Sequence, residues 1–235
     1  MLEALPFRNE SAPPVWKSGF RVTAAEDKTG TADAWSIKVG VYCTSMTATQ
    51  VVSSSSALDS TPVKTATVEC PHGTRVVGVG GIVSLGNVQI PTFTNADAQV
   101  NLVSFKPSDD LTEVTARATE PGGILDDQFA GMWKVTAVAT CGHSYAFDGL
   151  EVRHSTVTTP LKAADPDTST AIYCLEGKRL IAAGADLADD SANTYLSWAI
   201  KSNGAHTKVS AGADLNPEMG QSIPQLTAYA LCVKS

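Results

Sequence analysis

Long apolar runs, basic clusters and zinc-type ligand pairs are all missing from this chain. No stretch approaches the ~20 apolar residues of a bilayer-spanning helix, so no segment of the sequence reads as one. Lys and Arg number 17 against 24 Asp and Glu, a net charge of -7, and the basic residues gather nowhere. Affinity for nucleic acid comes largely from Lys and Arg neutralising phosphates, so neither DNA nor RNA is expected as a partner. The same negative balance opposes binding to anionic membranes. His72, His143, His154 and His206 are dispersed, and neither C-x-x-C nor H-x-x-x-H occurs, so no zinc site is expected. The D-x-[DN]-x-[DN]-G loop is absent too, and Asp126, Asp127, Asp148, Asp186, Asp189 and Asp190 read as solvated loop carboxylates. No cofactor or metal is therefore expected. Charged residues make up only 17%. Ser and Thr fill the gap, as at solvent-facing strand positions.

What is present is a nine-residue stretch written three times. Trp35-Ser-Ile-Lys-Val-Gly-Val-Tyr-Cys43, Trp133-Lys-Val-Thr-Ala-Val-Ala-Thr-Cys141 and Pro224-Gln-Leu-Thr-Ala-Tyr-Ala-Leu-Cys232 keep their cysteines in register. Trp133, Val135, Ala137, Ala139 and Cys141 fall on one side of an extended chain, which predicts a half-buried β-strand with its other face outside. Ahead of each copy stand a bulky apolar residue, a lysine and turn formers. These are Trp16-Lys17-Ser18-Gly19 before Val22, Phe105-Lys106-Pro107-Ser108-Asp109 before Val114, and Ile200-Lys201-Ser202-Asn203-Gly204 before Val209. Each predicts a β-hairpin. Residues 1–15, with Pro6, Pro13 and Pro14 and no periodicity, read as an irregular lead-in.

A second piece recurs as Cys70-Pro-His-Gly73-Thr-Arg75-Val-Val-Gly-Val-Gly80 and Cys174-Leu-Glu-Gly177-Lys-Arg179-Leu-Ile-Ala-Ala-Gly184. Gly73 and Gly177 stand where a turn needs positive φ, and the aliphatic pair that follows starts a buried strand. Gly78, Gly80 and Gly81 mark a bulge or close backbone approach; no helix start follows them to make a phosphate loop. The expected fold is all-β: three tandem antiparallel β units. Residues 1–235 form one domain, with a partial unit at 16–43 and full units at 70–141 and 174–232. The first unit lacks its C-x-x-G half, so the chain is expected to be truncated or eroded there. Residues 44–68 and 142–172 read as Ser/Thr-rich linkers, with Ser53 to Ser56 an exposed strand edge or loop.

Five cysteines leave one over. Pairing within units joins Cys70 to Cys141 and Cys174 to Cys232 and leaves Cys43, whereas pairing across linkers joins Cys43 to Cys70 and Cys141 to Cys174 and leaves Cys232. Sequence alone does not choose between them. Either way the bridges are staples, and they point to an oxidising compartment, extracellular or on a virion or cell surface. Met1-Leu-Glu-Ala-Leu-Pro-Phe-Arg has neither the basic start nor the apolar stretch of a signal peptide. The expectation is a mature or cut chain, or one exported by another route.

Cys70-Pro71-x-Gly73 and Thr227-Ala228-Tyr229-Ala230-Leu231-Cys232 resemble the tandem-repeat secreted proteins of actinobacteria and their phages, whose units carry C-P-x-G-x-x-V-x-G-x-G and W-x-L/V-T-A-Y-A-x-C strands. The resemblance covers residues 16–235 and departs from the pattern at Leu175 and Ala139. It implies a secreted location. The C-P-x-G repeats are also similar to those of the egg vitelline membrane outer layer protein, a three-sheet β-prism, which implies a β-prism-like or related closed architecture for the three units; fold does not imply function.

For catalysis, G-x-S-x-G is absent, and cysteines repeated in register are staples rather than a singular nucleophile. Asp110 with Glu113, or Asp189 with Asp190, imitate a glycosidase pair, but no nucleophile, base and orienter stand together, so no catalytic residue is named and no enzyme is expected. Trp35 and Trp133 read as core. Tyr42 and Tyr229 take the outward parity of their strands, and Tyr195 and Trp198 take opposite parities. The expected function is non-catalytic binding of glycan or cell-wall polymer through Tyr42, Tyr195, Tyr229, Asp189, Asp190 and Asn193. A structural or adhesive part of a coat or appendage, with self-association or another protein surface as partner, is the alternative; a secreted hydrolase is the third.

Overall fold

Short runs of β-branched and small residues, broken by glycine and proline turns, become strands almost everywhere. The computed structural model describes residues 3–9, 17–23, 49–86, 100–120, 131–162, 167–188, 194–198, 208–215 and 221–235. In chain order the strands are β1 (Glu3–Asn9), β2 (Lys17–Thr23), β3 (Thr49–Ser55), β4 (Val63–Glu69), β5 (Thr74–Leu85), β6 (Asn101–Pro107), β7 (Glu113–Thr119) and β8 (Trp133–His143). They continue as β9 (Glu151–Thr158), β10 (Leu161–Lys162), β11 (Asp167–Tyr173), β12 (Lys178–Ala188), β13 (Thr194–Trp198), β14 (Lys208–Leu215), β15 (Gln221–Ser222) and β16 (Gln225–Lys234). One 3-10 turn, Ser144–Ala146, interrupts them, and among the described residues there is no α-helix.

The strands form four antiparallel sheets, ordered β2-β1-β5-β8-β3, β4-β7-β6-β12-β16-β9, β11-β14-β13 and β10-β15. The protein is all-β. Both C-x-x-G pieces fold alike. Gly73 and Gly177 take φ of 81° and 77°, and the turn closes through Thr74 N–H to Pro71 O and Lys178 N–H to Leu175 O, each 3.0 Å. The strands that follow, β5 and β12, pair with β8 and β16 and carry their register shifts at matching places, Val76/Gly78 and Leu180/Ala182. Such a bulge bends the strand and increases its twist. Disulfides Cys70–Cys141 and Cys174–Cys232, each with Cα atoms 5.7 Å apart, then tie each turn to the end of its paired strand. That is the within-unit scheme. Cys43 lies outside the described residues.

One core serves the larger sheets. Trp133, Phe105, Leu102, Leu187, Leu226 and Leu231 are fully buried in it, and Val209, Ala211 and Ala213 of β14 join from the three-stranded sheet. Close approach is set by small residues. At Gly184 an added Cβ would lie 2.6 Å from the Phe105 carbonyl oxygen and 3.3 Å from Val79 Cγ2. A backbone oxygen yields poorly, so Gly184→Ala is expected to cost on the order of 1–3 kcal/mol in urea denaturation. An unchanged midpoint would mean that β6 and β12 separate freely.

Some expectations need correcting. Residues 1–15 are not an irregular lead-in throughout, because Glu3–Asn9 is strand β1, paired along its length with β2. Lys17, Ser18 and Gly19 therefore lie inside β2 and not in a turn. Pro6 is tolerated because β1 meets β5 only at Glu3 and Ala4, and Pro6 lies past that contact. Stretches 44–68 and 142–172 are not merely linkers: they carry β3, β4, β9 and much of β11, and β3 is the exposed edge foreseen around Ser53. Nor does β8 present an open outer face, since Thr136 and Val138 are buried along with Trp133 and Val135. It is an interior strand, flanked by β5 and β3, and the Ser55 and Thr136 hydroxyls are hydrogen-bonded at 2.8 Å.

Candidate functional site

The loop between β6 and β7 starts the site. Ser108 Oγ donates to Asp110 Oδ1 (2.6 Å), and Thr112 donates to the same oxygen through its N–H (3.1 Å) and hydroxyl (2.7 Å). These hydrogen bonds, those from Ser108 and Thr112 first, hold the Asp110 carboxyl at about 2. Leu111 sits in this loop with φ 58°, a conformation that costs a non-glycine residue energy. Its side chain is buried, and its carbonyl accepts the Val76 N–H at 2.7 Å, beside the β5 bulge. Core packing and that hydrogen bond hold the strained turn.

Facing the loop is the segment that leaves β8. Ser144, Tyr145, residues 147–152 and residues 109–111, with Arg75 from the C-x-x-G-x-R motif, line a broadly open cleft of about 620 Å³. Its carboxylates are Asp109, Asp110, Asp148 and Glu151, and its aromatics are Tyr145 and Phe147. Lys234 pairs with Asp148 at 2.9 Å, Lys178 pairs with Glu151 at 2.6 Å, and Lys178 also donates to Gly149 O at 2.8 Å. The Lys178 contacts are partly buried, whereas the Lys234–Asp148 pair is largely exposed. The Lys234 ammonium holds the Asp148 carboxyl below its ordinary value, chiefly by hydrogen bonding. Phe147 is buried against Gly142, whereas Tyr145 is 81% exposed and stacks on His143 with ring centroids 5.2 Å apart.

Of the residues the sequence nominates, Tyr229 is described in full. It is partly buried in β16, opposite Gly184 and His154, and its ring lies 5.8 Å from that of His154. Burial first, and then the carboxylates of Asp186 and Asp109, push its hydroxyl up to about 12. Tyr195 lies in β13 opposite Asp214. Tyr42, Asp189, Asp190 and Asn193 lie outside the described residues, as does Trp35. Trp133 is fully buried, and its Nε1–H donates to Glu120 Oε1 at 2.6 Å. Among the described residues no group of three or more His, Cys, Asp or Glu is placed to hold a metal ion.

Tyr145 was not foreseen. It falls in a stretch read as linker, and its one sequence signal is the aromatic run His143-Ser-Tyr-Ala-Phe147 directly after a strand that ends in cysteine. No helix of the described residues is long and apolar enough to cross a membrane. No known family model and no curated protein matches the chain.

The turn carboxylates make stability depend on pH. Asp110, held at about 2 by Ser108 and Thr112, and Asp59, held at about 2 by hydrogen bonds from Lys64 and Thr61, lie below the ordinary value of 3.8. A folded value below the unfolded one stabilises the protein above pH 3.8, and that stabilisation is lost as pH falls through about 2. The urea midpoint is expected to hold from neutrality to about pH 4.5 and then to fall, less steeply in Asp110→Asn. An equally steep fall in that variant would remove the turn from the account.

Proposed function

We propose that this chain is an extracellular, non-catalytic binding module for glycan or cell-wall polymer, with the Tyr145 cleft as its site. One observation carries the reading: an 81%-exposed tyrosine, stabilised by its stacking on His143, beside an open cleft edged by four carboxylates and one arginine. A sugar ring presents an apolar face to such a ring and hydroxyls to such carboxylates. The wide opening suits a polymer chain rather than an enclosed small molecule. Asp110 fits a hydrolase less well, because a general acid needs a raised pKa and this carboxyl is held at about 2. Two disulfides support export to an oxidising compartment, secreted or on a virion or cell surface.

We infer a threefold, prism-like arrangement akin to that of the egg vitelline membrane outer layer protein. The matching turns, bulges and disulfides of β5–β8 and β12–β16 support it, as do the two joints between sheet halves. In those joints β1 meets β5 at Ala4–Gly81, and β6 meets β12 at Phe105–Ala185; Gly81 and Ala185 both lie eleven residues past Cys70 and Cys174.

The test is a glycan and cell-wall polysaccharide screen on the oxidised protein. Saturable binding is expected, weakened at least tenfold in Tyr145→Ala with an unchanged unfolding midpoint, because one lost aromatic stack is worth ~1.5 kcal/mol. Binding to no polymer, or binding indifferent to Tyr145, would remove this site. Weight would then move to the structural or adhesive role.

A further inference from the structure

The edges of the three larger sheets are not equivalent, and the difference identifies a second surface. In the five- and six-stranded sheets a hairpin lays its inner strand against a strand that follows a C-x-x-G turn, as β2-β1 does on β5 and β7-β6 on β12. Both joints are antiparallel and share one register. Ala4 and Phe105 face the residue eleven positions past the cysteine, and Glu3 and Ser104 face the next one, Ile82 and Asp186.

The third hairpin, β14-β13, is built on the same register. The residue four before the cysteine is Ala66 in one unit and Thr170 in the other, and these pair with Ala116 and Ala211. Ala116 in turn pairs with Phe105, and Ala211 with Trp198. Trp198 therefore holds the ladder position of Phe105, and Ser197 that of Ser104. Phe105 and Ser104 face β12 across their outer edge, whereas the outer edge of β13 has no partner among the described residues. The sequence holds only two C-x-x-G cysteines, Cys70 and Cys174, and both of their strands are already placed.

Edge strands are normally blunted by charge or proline. Edge strands β2, β4, β9 and β11 each carry charged residues, and the uncharged edge strand β3 is serine-rich. Strand β13 reads Thr-Tyr-Leu-Ser-Trp, with neither charge nor proline. We propose that the outer edge of β13, Thr194–Trp198, accepts an added antiparallel strand of C-x-x-G-x-R type from a separate polypeptide. The residue eleven past that strand's cysteine sits opposite Trp198. This is recognition by strand addition, in which main-chain hydrogen bonds give affinity and register gives specificity. It stands apart from the cleft and does not depend on its ligand.

The probe is a synthetic peptide of residues 70–85 carrying Cys70→Ser, titrated onto the full oxidised protein, with hydrogen exchange read by mass spectrometry. Saturable one-to-one binding is expected, together with at least tenfold slower amide exchange within Thr194–Trp198. The same peptide methylated on the backbone nitrogens of Gly81 and Ile82 is expected to lose both effects; the protein itself is unchanged in this control, so no folding defect intervenes. Amides of Thr194–Trp198 that are already fully protected in the free protein would mean that a segment of this chain covers the edge, and would overturn the proposal. Absence of saturation, or equal binding by the methylated peptide, would overturn it as well.

Discussion

Trp133→Ala is expected to lower the unfolding free energy by about 3–5 kcal/mol, the range for emptying the site of a large buried aromatic. Trp133 is fully buried at the start of β8, and its environment adds to that cost. Its Nε1–H is the donor to the buried carboxylate of Glu120. Its ring also lies 4.9 Å from the Lys64 ammonium, which is buried and paired with Asp59. Truncation thus leaves a cavity, an unmatched buried acid and a cation without its aromatic face. Trp133→Phe separates these contributions: it restores most of the volume and none of the donor, so about 1–3 kcal/mol should remain lost. Urea denaturation followed by circular dichroism reads both variants. A Trp133→Ala loss below about 1 kcal/mol, nearer to the range of surface substitutions, would show that the node does not organise the core.

Removing either disulfide should cost nearly the same. The sequence separations of 58 for Cys174–Cys232 and 71 for Cys70–Cys141 enter the loop-closure entropy only as a logarithm, giving about 4 kcal/mol for each. Paired alanine substitutions suit the test, because Cys141 and Cys232 are fully buried and a serine hydroxyl there would be left without water. Each double variant is expected to unfold at a clearly lower urea concentration than the parent, by similar amounts. Thiol titration of the parent in denaturant should find one reactive group per chain, since four of the five cysteines are bridged. A bridge involving Cys43 in the peptide map would overturn the within-unit pairing.

Much was legible in the residues themselves. Alternation placed β8 and β16, which run on past Cys141 and Cys232 to His143 and Lys234, and the glycines of C-x-x-G announced positive φ, which Gly73 and Gly177 adopt. Repetition in register marked the cysteines as staples, and a strand face shared with aliphatic residues marked Trp133 as core. Such features are local: a period of two describes the faces of one strand, and a turn constrains only its own four residues. Tertiary structure decided what depends on neighbours. Cys70 meets Cys141 rather than Cys43 because β5 and β8 pair along their length and bring the two ends together. Val138 is buried despite its outward parity, which the alternation of one strand cannot register. Strand β1 escaped notice because Pro6 hides its pattern and pairing with β2 supplies the missing order. Tyr145 became a candidate because its loop comes to face the 108–112 turn, from which the chain separates it by some thirty residues. Pairing partners and cleft walls come from residues distant in sequence, and their choice is made by the packing of whole sheets, which no single stretch of chain encodes.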